Sequence, residues 1–272
     1  MPKVKNPKKT PPEVVGIIPA KGGSVSIPYK NLMKLGGKTL LQWAIEVAFK
    51  SEKIDLVAVT TEDEKIASLA KKLGALIIPE PKELALPDCD DSGWYRNAVE
   101  YLEKEYGWKP EIWVNLRPTG PLREPEDVDA CVEHVLKSGC DGLKSVIPSP
   151  IPPYKMWRMQ EDGSMEPLMK HPYRLKHGPD IPRQRAQKLF PTFWQDAQID
   201  ITKRKFILSK AAKEYGNCFG KNIHGYLMDS RKVVDIDTME DFHHAEKIMK
   251  QLRKEKNQKP KLAGLEGIHE HK

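Results

Sequence analysis

The chain has 272 residues, 39% of them apolar, which is enough for one α/β domain of ordinary size with a substantial core. No apolar run approaches the roughly 20 residues needed to span a bilayer, and the N-terminus lacks the apolar stretch of a secretory signal, so a soluble cytoplasmic protein with no membrane partner is expected. The net charge of +7 sits at the two ends. Residues 1–12 carry four lysines and no acid, and residues 250–261 carry six basic residues against one acid, so the body is nearly neutral and no nucleic-acid partner is expected. The four cysteines, Cys89, Cys131, Cys140 and Cys218, form no C-x-x-C pair and are read as reduced thiols. The expected layout is a basic tail over 1–12, one domain over 13–254 with an excursion at about 148–190, and a lysine-rich tail over 255–272.

An apolar run at 14–19 predicts a buried first strand. A glycine-rich loop follows, then a helix over 39–50 whose core face is Leu40, Leu41, Ala44, Ile45, Val47 and Ala48. Next come a strand at 55–60, a helix at 63–73 with Glu62-Asp63 at its start, and a strand at 75–78. A helix at 91–106, a strand at 111–116, a helix at 125–138 and a strand at 143–147 complete the alternation. Short apolar strands separated by helices of this length predict a parallel sheet covered on both faces. Prolines between 148 and 153 break the pattern, and 157–169 reads as a hairpin around Glu161-Asp162-Gly163-Ser164. Such a proline-rich, aromatic-bearing excursion reads as an arm packing on another subunit. Strand character resumes at 192–201 and 223–234, and a final helix runs over 239–254 after Asp237 or Thr238 as cap.

Ligands of parallel sheets bind beyond the carboxyl ends of the strands. The loop Lys21-Gly22-Gly23-Ser24, Thr60-Thr61-Glu62-Asp63 and Arg117-Pro118-Thr119 all fall at such ends. A glycine-rich turn after a first strand brings backbone N–H groups and positive charge to a polyphosphate. The loop is therefore read as the cradle of a nucleoside triphosphate, with Lys21 and Ser24 among its phosphate partners. Asn31 offers donors and acceptors to a base edge or ribose. Further on, Asp235 and Asp237 alternate on one face of an extended segment with Ile236 turned away. Two such carboxylates suit Mg²⁺, which takes a few hard oxygens and keeps water and phosphate in its remaining positions. Asp237 as a simple helix cap is the competing reading.

These motifs together resemble acylneuraminate cytidylyltransferases. Ile17–Ser24 followed by Ile27-Pro28-Tyr29-Lys30-Asn31 resembles the family's opening signature, and Arg117-Pro118-Thr119-Gly120-Pro121-Leu122-Arg123 its second. Ile181-Pro182-Arg183-Gln184, Ile199-Asp200-Ile201 and Val234–Asp241 follow in the family's order. The resemblance implies a Rossmann-like nucleotidyltransferase fold with a mid-chain dimerisation arm, and hence a homodimer. It also implies Mg²⁺-dependent transfer of CMP from CTP to an acidic, sialic-acid-like sugar. Lys21, Lys30 and Asp237 are then the catalytic set, Lys21, Gly22, Gly23, Ser24, Lys30 and Asn31 hold the nucleotide, and Asp235 and Asp237 hold the metal. Arg117, Thr119, Arg183 and Gln184 face the sugar, while Arg123 is structural.

The chain departs from the family at several ligand-facing positions. Lys21 stands where Arg is usual, Val25-Ser26 replaces a Lys-Gly pair, and Arg117 replaces a Gln. Glu80 takes the place of an Arg implicated in base recognition, and the acidic stretch Asp88–Ser92 replaces small residues. Gln195-Asp196-Ala197 stands where Asn-Gly is common. Two alternatives follow: another nucleotide such as GTP or UTP, or nucleotide binding without catalysis.

Overall fold

The computed structural model describes residues 11–23, 26–86, 88–169 and 191–258. Eleven strands and seven α-helices are present among them. The strands are β1 (Val14–Pro19), β2 (Lys34–Leu35), β3 (Lys38–Thr39), β4 (Leu56–Thr61), β5 (Leu76–Pro79), β6 (Ile112–Asn115), β7 (Gly142–Pro148), β8 (Trp157–Met159), β9 (Met165–Pro167), β10 (Phe193–Lys203) and β11 (Ile223–Leu227). The helices are α1 (Leu40–Lys50), α2 (Glu64–Lys72), α3 (Asp91–Tyr106), α4 (Pro125–Ser138), α5 (Arg204–Ile207), α6 (Lys210–Tyr215) and α7 (Met239–Gln258).

Helix starts follow local chemistry. The Thr39 hydroxyl accepts from Gln42 N, the Asp63 carboxylate from the amides of Lys65 and Ile66, and Asp90 from Ser92 N. Each satisfies amides that the first helical turn leaves unpaired. Helices α3 and α4 stop at Gly107 and Gly139, both left-handed.

Seven strands form one sheet in the order β5-β4-β1-β6-β10-β7-β11. Every pairing is parallel except those of β10, which runs against β6 and β7. The expected mostly parallel sheet is therefore correct, with one antiparallel member that the sequence reading missed. The strand at 223–234 is shorter than expected. It ends at Leu227, and a 3-10 turn at Ser230–Lys232 follows. The 157–169 hairpin is present as β8 and β9; the arm's residues 170–190 lie outside the described set, as do both ends of the chain. Among the described residues, no helix is long and apolar enough to cross a membrane.

The core is layered. On one face, Leu41 and Ile45 of α1, Ile66 of α2 and Val128 and Val132 of α4 pack on the sheet. On the other, Trp94, Tyr95 and Val99 of α3 join Ile207 and Ala212 from the two short helices. Burying each large apolar side chain stabilises the fold by about 1.5–3 kcal/mol. A third cluster joins Ile27, Leu35 and Leu40, beyond the glycine-rich loop, to Val234, Ile236, Phe242 and Met249. This packing brings two segments 200 residues apart in sequence to one end of the sheet.

After β1 the chain moves outward to β4 and β5, then returns to place β6 on the other side of β1. The crevice beyond the carboxyl ends of β1 and β6 is thus a topological switch point, where open α/β sheets bind ligands.

Candidate active site

A cleft of about 460 Å³ opens at that switch point. Its lining includes Lys21, Gly23, Lys30, Asn31, Arg117, Thr119, Asp235 and Asp237, so most of the residues singled out from sequence meet there. Gly22 lies behind the loop, at a second depression shared with Glu62 and Asp63. Ser24, Arg183 and Gln184 lie outside the described residues.

Two hydrogen bonds fix the entry of the glycine-rich loop. Gly22 N donates to Glu62 Oε1 at 2.8 Å, and Asn31 Nδ2 donates to the Lys21 carbonyl at 2.9 Å. Asn31 is buried, and one of its two amide N–H donors is committed to the loop, which leaves its oxygen and second N–H for the base or ribose contact read from sequence. Gly22 is required sterically, since a Cβ there would lie 2.7 Å from the Asp63 carboxylate. At the loop's exit Tyr29 is left-handed, with φ 52°, and the next residue starts a 3-10 turn that delivers Lys30 to the cleft.

Lys30 Nζ meets Asp237 Oδ1 at 2.9 Å. The lysine stem is nearly buried, whereas the Asp237 side chain is 68% exposed. Asp237 is not the helix cap: the Thr238 hydroxyl accepts from Asp241 N, and Asp241 accepts from the amides of Asp237 and Thr238. The carboxylate of Asp237 is therefore free to face the cleft. The Asp235–Asp237 segment forms no ladder. It is tied down where Ile236 N donates to the Thr119 carbonyl at 3.0 Å and Gln198 Nε2 to the Val234 carbonyl at 3.0 Å. Ile236 is fully buried, so the two aspartates on either side of it turn outward, as alternation required. Asp235 opens onto the cleft, yet the surrounding walls desolvate it and Asp237 repels its charge. Its carboxyl consequently sits above the usual range, despite opposing help from Thr119, Lys30 and Arg117.

Arg117 is held against Asp91 at the start of α3, and Asp91 also accepts from Trp94 Nε1 at 3.0 Å. Burial alone lowers the guanidinium's pKa, but Asp91, Asp200 and Asp235 outweigh it and raise it overall. Beneath it, buried Arg123 donates to the carbonyls of Gln198 and Arg117. Burial pushes Arg123 down to about 9, against the pull of Asp235 and Asp196. It braces the loop after β6, the structural role expected of it.

Glu62, Asp91 and Gln198 contribute to the site without having been assigned to it from sequence. Glu62 and Asp63 read together as a helix start, yet only Asp63 caps α2, while Glu62 anchors the loop. Asp91 belonged to an acidic stretch whose partner, Arg117, is 26 residues away. Gln198 lies in an irregularity of β10 between Gln195 and Asp200, where no local signal marks it.

The arrangement offers cations and amides for phosphate directly beside two adjacent carboxylates for a hard cation, with Lys30 in contact with Asp237. Comparison with known proteins agrees with this chemistry. A family model described as "Cytidylyltransferase" matches residues 15–261. The post-translational flagellin modification protein B of Campylobacter coli is 27% identical over 246 residues, covering 90% of this chain and 97% of that protein. The pseudaminic acid cytidylyltransferase of Campylobacter jejuni subsp. jejuni serotype O:2 is 26% identical over 235 residues, covering 86% and 95%. The N-acylneuraminate cytidylyltransferase A of Danio rerio is 27% identical over 233 residues, and the chain spans 50% of its length. Among solved structures, the CMP:2-keto-3-deoxy-manno-octonic acid synthetase complexed with CTP superposes with a TM-score of 0.61 at 17% identity, over 88% of this chain and 99% of that one. This last likeness establishes the shared nucleotidyltransferase-type fold.

Proposed function

Since the chain belongs to the cytidylyltransferase family, and so to the nucleotidyltransferases, we propose that it transfers the cytidylyl group of CTP to the anomeric hydroxyl of an acidic, sialic-acid-like sugar and releases pyrophosphate. The observation that carries this reading is the meeting of Lys21 and Lys30 with Asp235 and Asp237 around one cleft at the sheet's switch point. The acidic sugars in the names of two relatives, N-acylneuraminate and pseudaminic acid, support the acceptor class.

Lys30 and Lys21 neutralise triphosphate oxygens, and the Gly22–Gly23 backbone permits close approach. Asp237 holds Lys30 in place. Arg117, aimed by Asp91, presents a guanidinium to the sugar carboxylate, with Thr119 beside it. Asp235 and Asp237 fit Mg²⁺: they are adjacent, outward-facing hard donors, and the desolvated, mutually repelled Asp235 gains from a cation. When bound there, Mg²⁺ neutralises charge developing on the α-phosphate and the leaving pyrophosphate. The sugar hydroxyl attacks the α-phosphorus in line with the departing pyrophosphate, the P–O bond to pyrophosphate breaking as the hydroxyl proton is lost to solvent. Arg183 and Gln184 remain assigned to the sugar, and Ser24 to phosphate, on the resemblance of their motifs.

A homodimer belongs to the same proposal. Met159, Met165, Leu168 and Met169 of the hairpin and Phe193 and Trp194 at the start of β10 are exposed, an apolar surface that fits an arm on a second copy. Calorimetric titration with CTP tests the nucleotide site. Binding that tightens on adding Mg²⁺ in the wild type, and no longer does so in Asp235→Asn, is the expected result. CTP binding unaffected by Mg²⁺ contradicts the metal assignment.

A further inference from the structure

The carbonyl of Lys21 and the N–H of Gly22 belong to one planar peptide unit, and that unit is held at both ends. Asn31 Nδ2 donates to the carbonyl at 2.9 Å, and the N–H donates to Glu62 Oε1 at 2.8 Å. The peptide is trans, so its two polar groups point to opposite sides and the two partners fix its plane. Without them, a glycine at the C-terminal end of the unit would let the plane turn at little steric cost.

Glu62 is itself rigidly presented. It lies between Thr61, the last residue of β4, and Asp63, the cap of α2. The Thr61 hydroxyl accepts from Asp63 N at 3.1 Å, and the Thr61 carbonyl accepts from Glu80 N at 3.0 Å. The second oxygen of Glu62, Oε2, is buried with no hydrogen-bond partner among the described residues. An orphaned carboxylate oxygen costs stability. A negative charge behind a phosphate cradle also opposes anion binding. Both costs leave geometry as what Glu62 supplies. The residue on which that geometry acts is Lys21, which is exposed and lines the cleft. Its ammonium has no hydrogen bond or ion pair among the described residues, so the main chain sets its direction.

We propose that Glu62 is a positioning residue for the nucleotide. By locking the Lys21–Gly22 peptide it aims the Lys21 ammonium into the cleft. It also withholds the Gly22 amide from phosphate, so that the loop's phosphate contacts begin at Gly23, which lines the cleft. This inference rests on the nucleoside-triphosphate reading of the cleft.

The test is a double-mutant cycle read by calorimetric binding of CTP to the full chain, with Glu62→Ala, Lys21→Met and the pair. Glu62→Ala should weaken CTP binding by about tenfold, and in the Lys21→Met background the same change should cost less than about twofold. Glu62→Gln keeps the acceptor for Gly22 N and removes the charge, so it should bind CTP at least as tightly as the wild type. An effect of Glu62→Ala that persists undiminished without the lysine overturns the proposal. So does a Gln variant as weak as the Ala variant, or an Ala variant that binds CTP more tightly than the wild type. Should Glu62→Ala fail to fold, Glu62→Asp, whose carboxylate falls one methylene short of Gly22 N, takes its place in the cycle. Because the readout is binding, it separates from the transfer reaction. The expected cycle without sugar-dependent pyrophosphate release counts against the reaction and leaves the role of Glu62 supported, whereas a wild type with no affinity for CTP or pyrophosphate overturns both.

Discussion

Asp237 holds the site together at the level of single residues, because it partners Lys30 and flanks Asp235 in the proposed metal pair. Its side chain is 68% exposed, so removing its charge leaves the packing intact. Asp237→Asn is expected to lower turnover by about 10²-fold or more while moving the melting temperature by no more than a degree or two. A large drop in melting temperature alongside lost activity would point to a structural role instead. Glu80 yields a pH prediction. Burial raises its pKa, with Glu62 and Asp91 adding to the effect and Thr60 and Lys21 opposing it. An acid whose folded pKa lies above its unfolded value binds its proton more tightly in the native state, so its ionisation costs stability at neutral pH. That cost shrinks as pH falls below the raised folded pKa and is gone below the unfolded one. Glu80→Gln removes it, so the variant should melt higher than the wild type at pH 7, and the gap should close on acidification. A gap that widens as pH falls reverses the sign and contradicts the assignment.

Strand β10 is the element where sequence reading and structure differ most. Its residues looked like a strand, but nothing local fixed its direction, which depends on where the excursion before it re-enters the sheet. The irregularity between Gln195 and Asp200 has a local mark only in hindsight. Ala197 is left-handed at φ 56°, where the sequence pattern led one to expect glycine nearby. That turn lets buried Asp196 accept from Ser145 and from Gln198 N, and lets Gln198 reach Val234. A side chain in the left-handed region costs about 1 kcal/mol, part of which glycine returns through its freer unfolded chain. Ala197→Gly should therefore raise the melting temperature slightly and leave turnover unchanged. A lower melting temperature would mean that the Ala197 methyl packs favourably enough to offset its backbone strain. The glycine-rich loop was legible because its signal is local. The Glu62 anchor and the Arg117–Asp91 pair were not, since each joins residues 40 and 26 positions apart.

Across the whole molecule, the alternation of apolar runs was sufficient to place the sheet, its two covered faces and the convergence of loops at one edge. Sequence order alone did not place Asp235 and Asp237 beside Lys30. The third cluster does so, by packing Ile27 and Leu35 against Ile236 and Phe242, a contact that spans nearly the whole chain. The same scale governs assembly. Sedimentation velocity should give a dimer, and charged substitutions at Met165 and Trp194 together should yield monomers; a wild-type monomer would remove the arm's proposed role. The central claim concerns the cleft's reaction, and pyrophosphate release measures it directly. The four nucleoside triphosphates are crossed with several acidic sugars and with neutral sugar controls, with Mg²⁺ and with a chelator. Release only with CTP, an acidic sugar and Mg²⁺ together is the predicted result. Release with neutral sugars alone, or none across the whole panel, contradicts it.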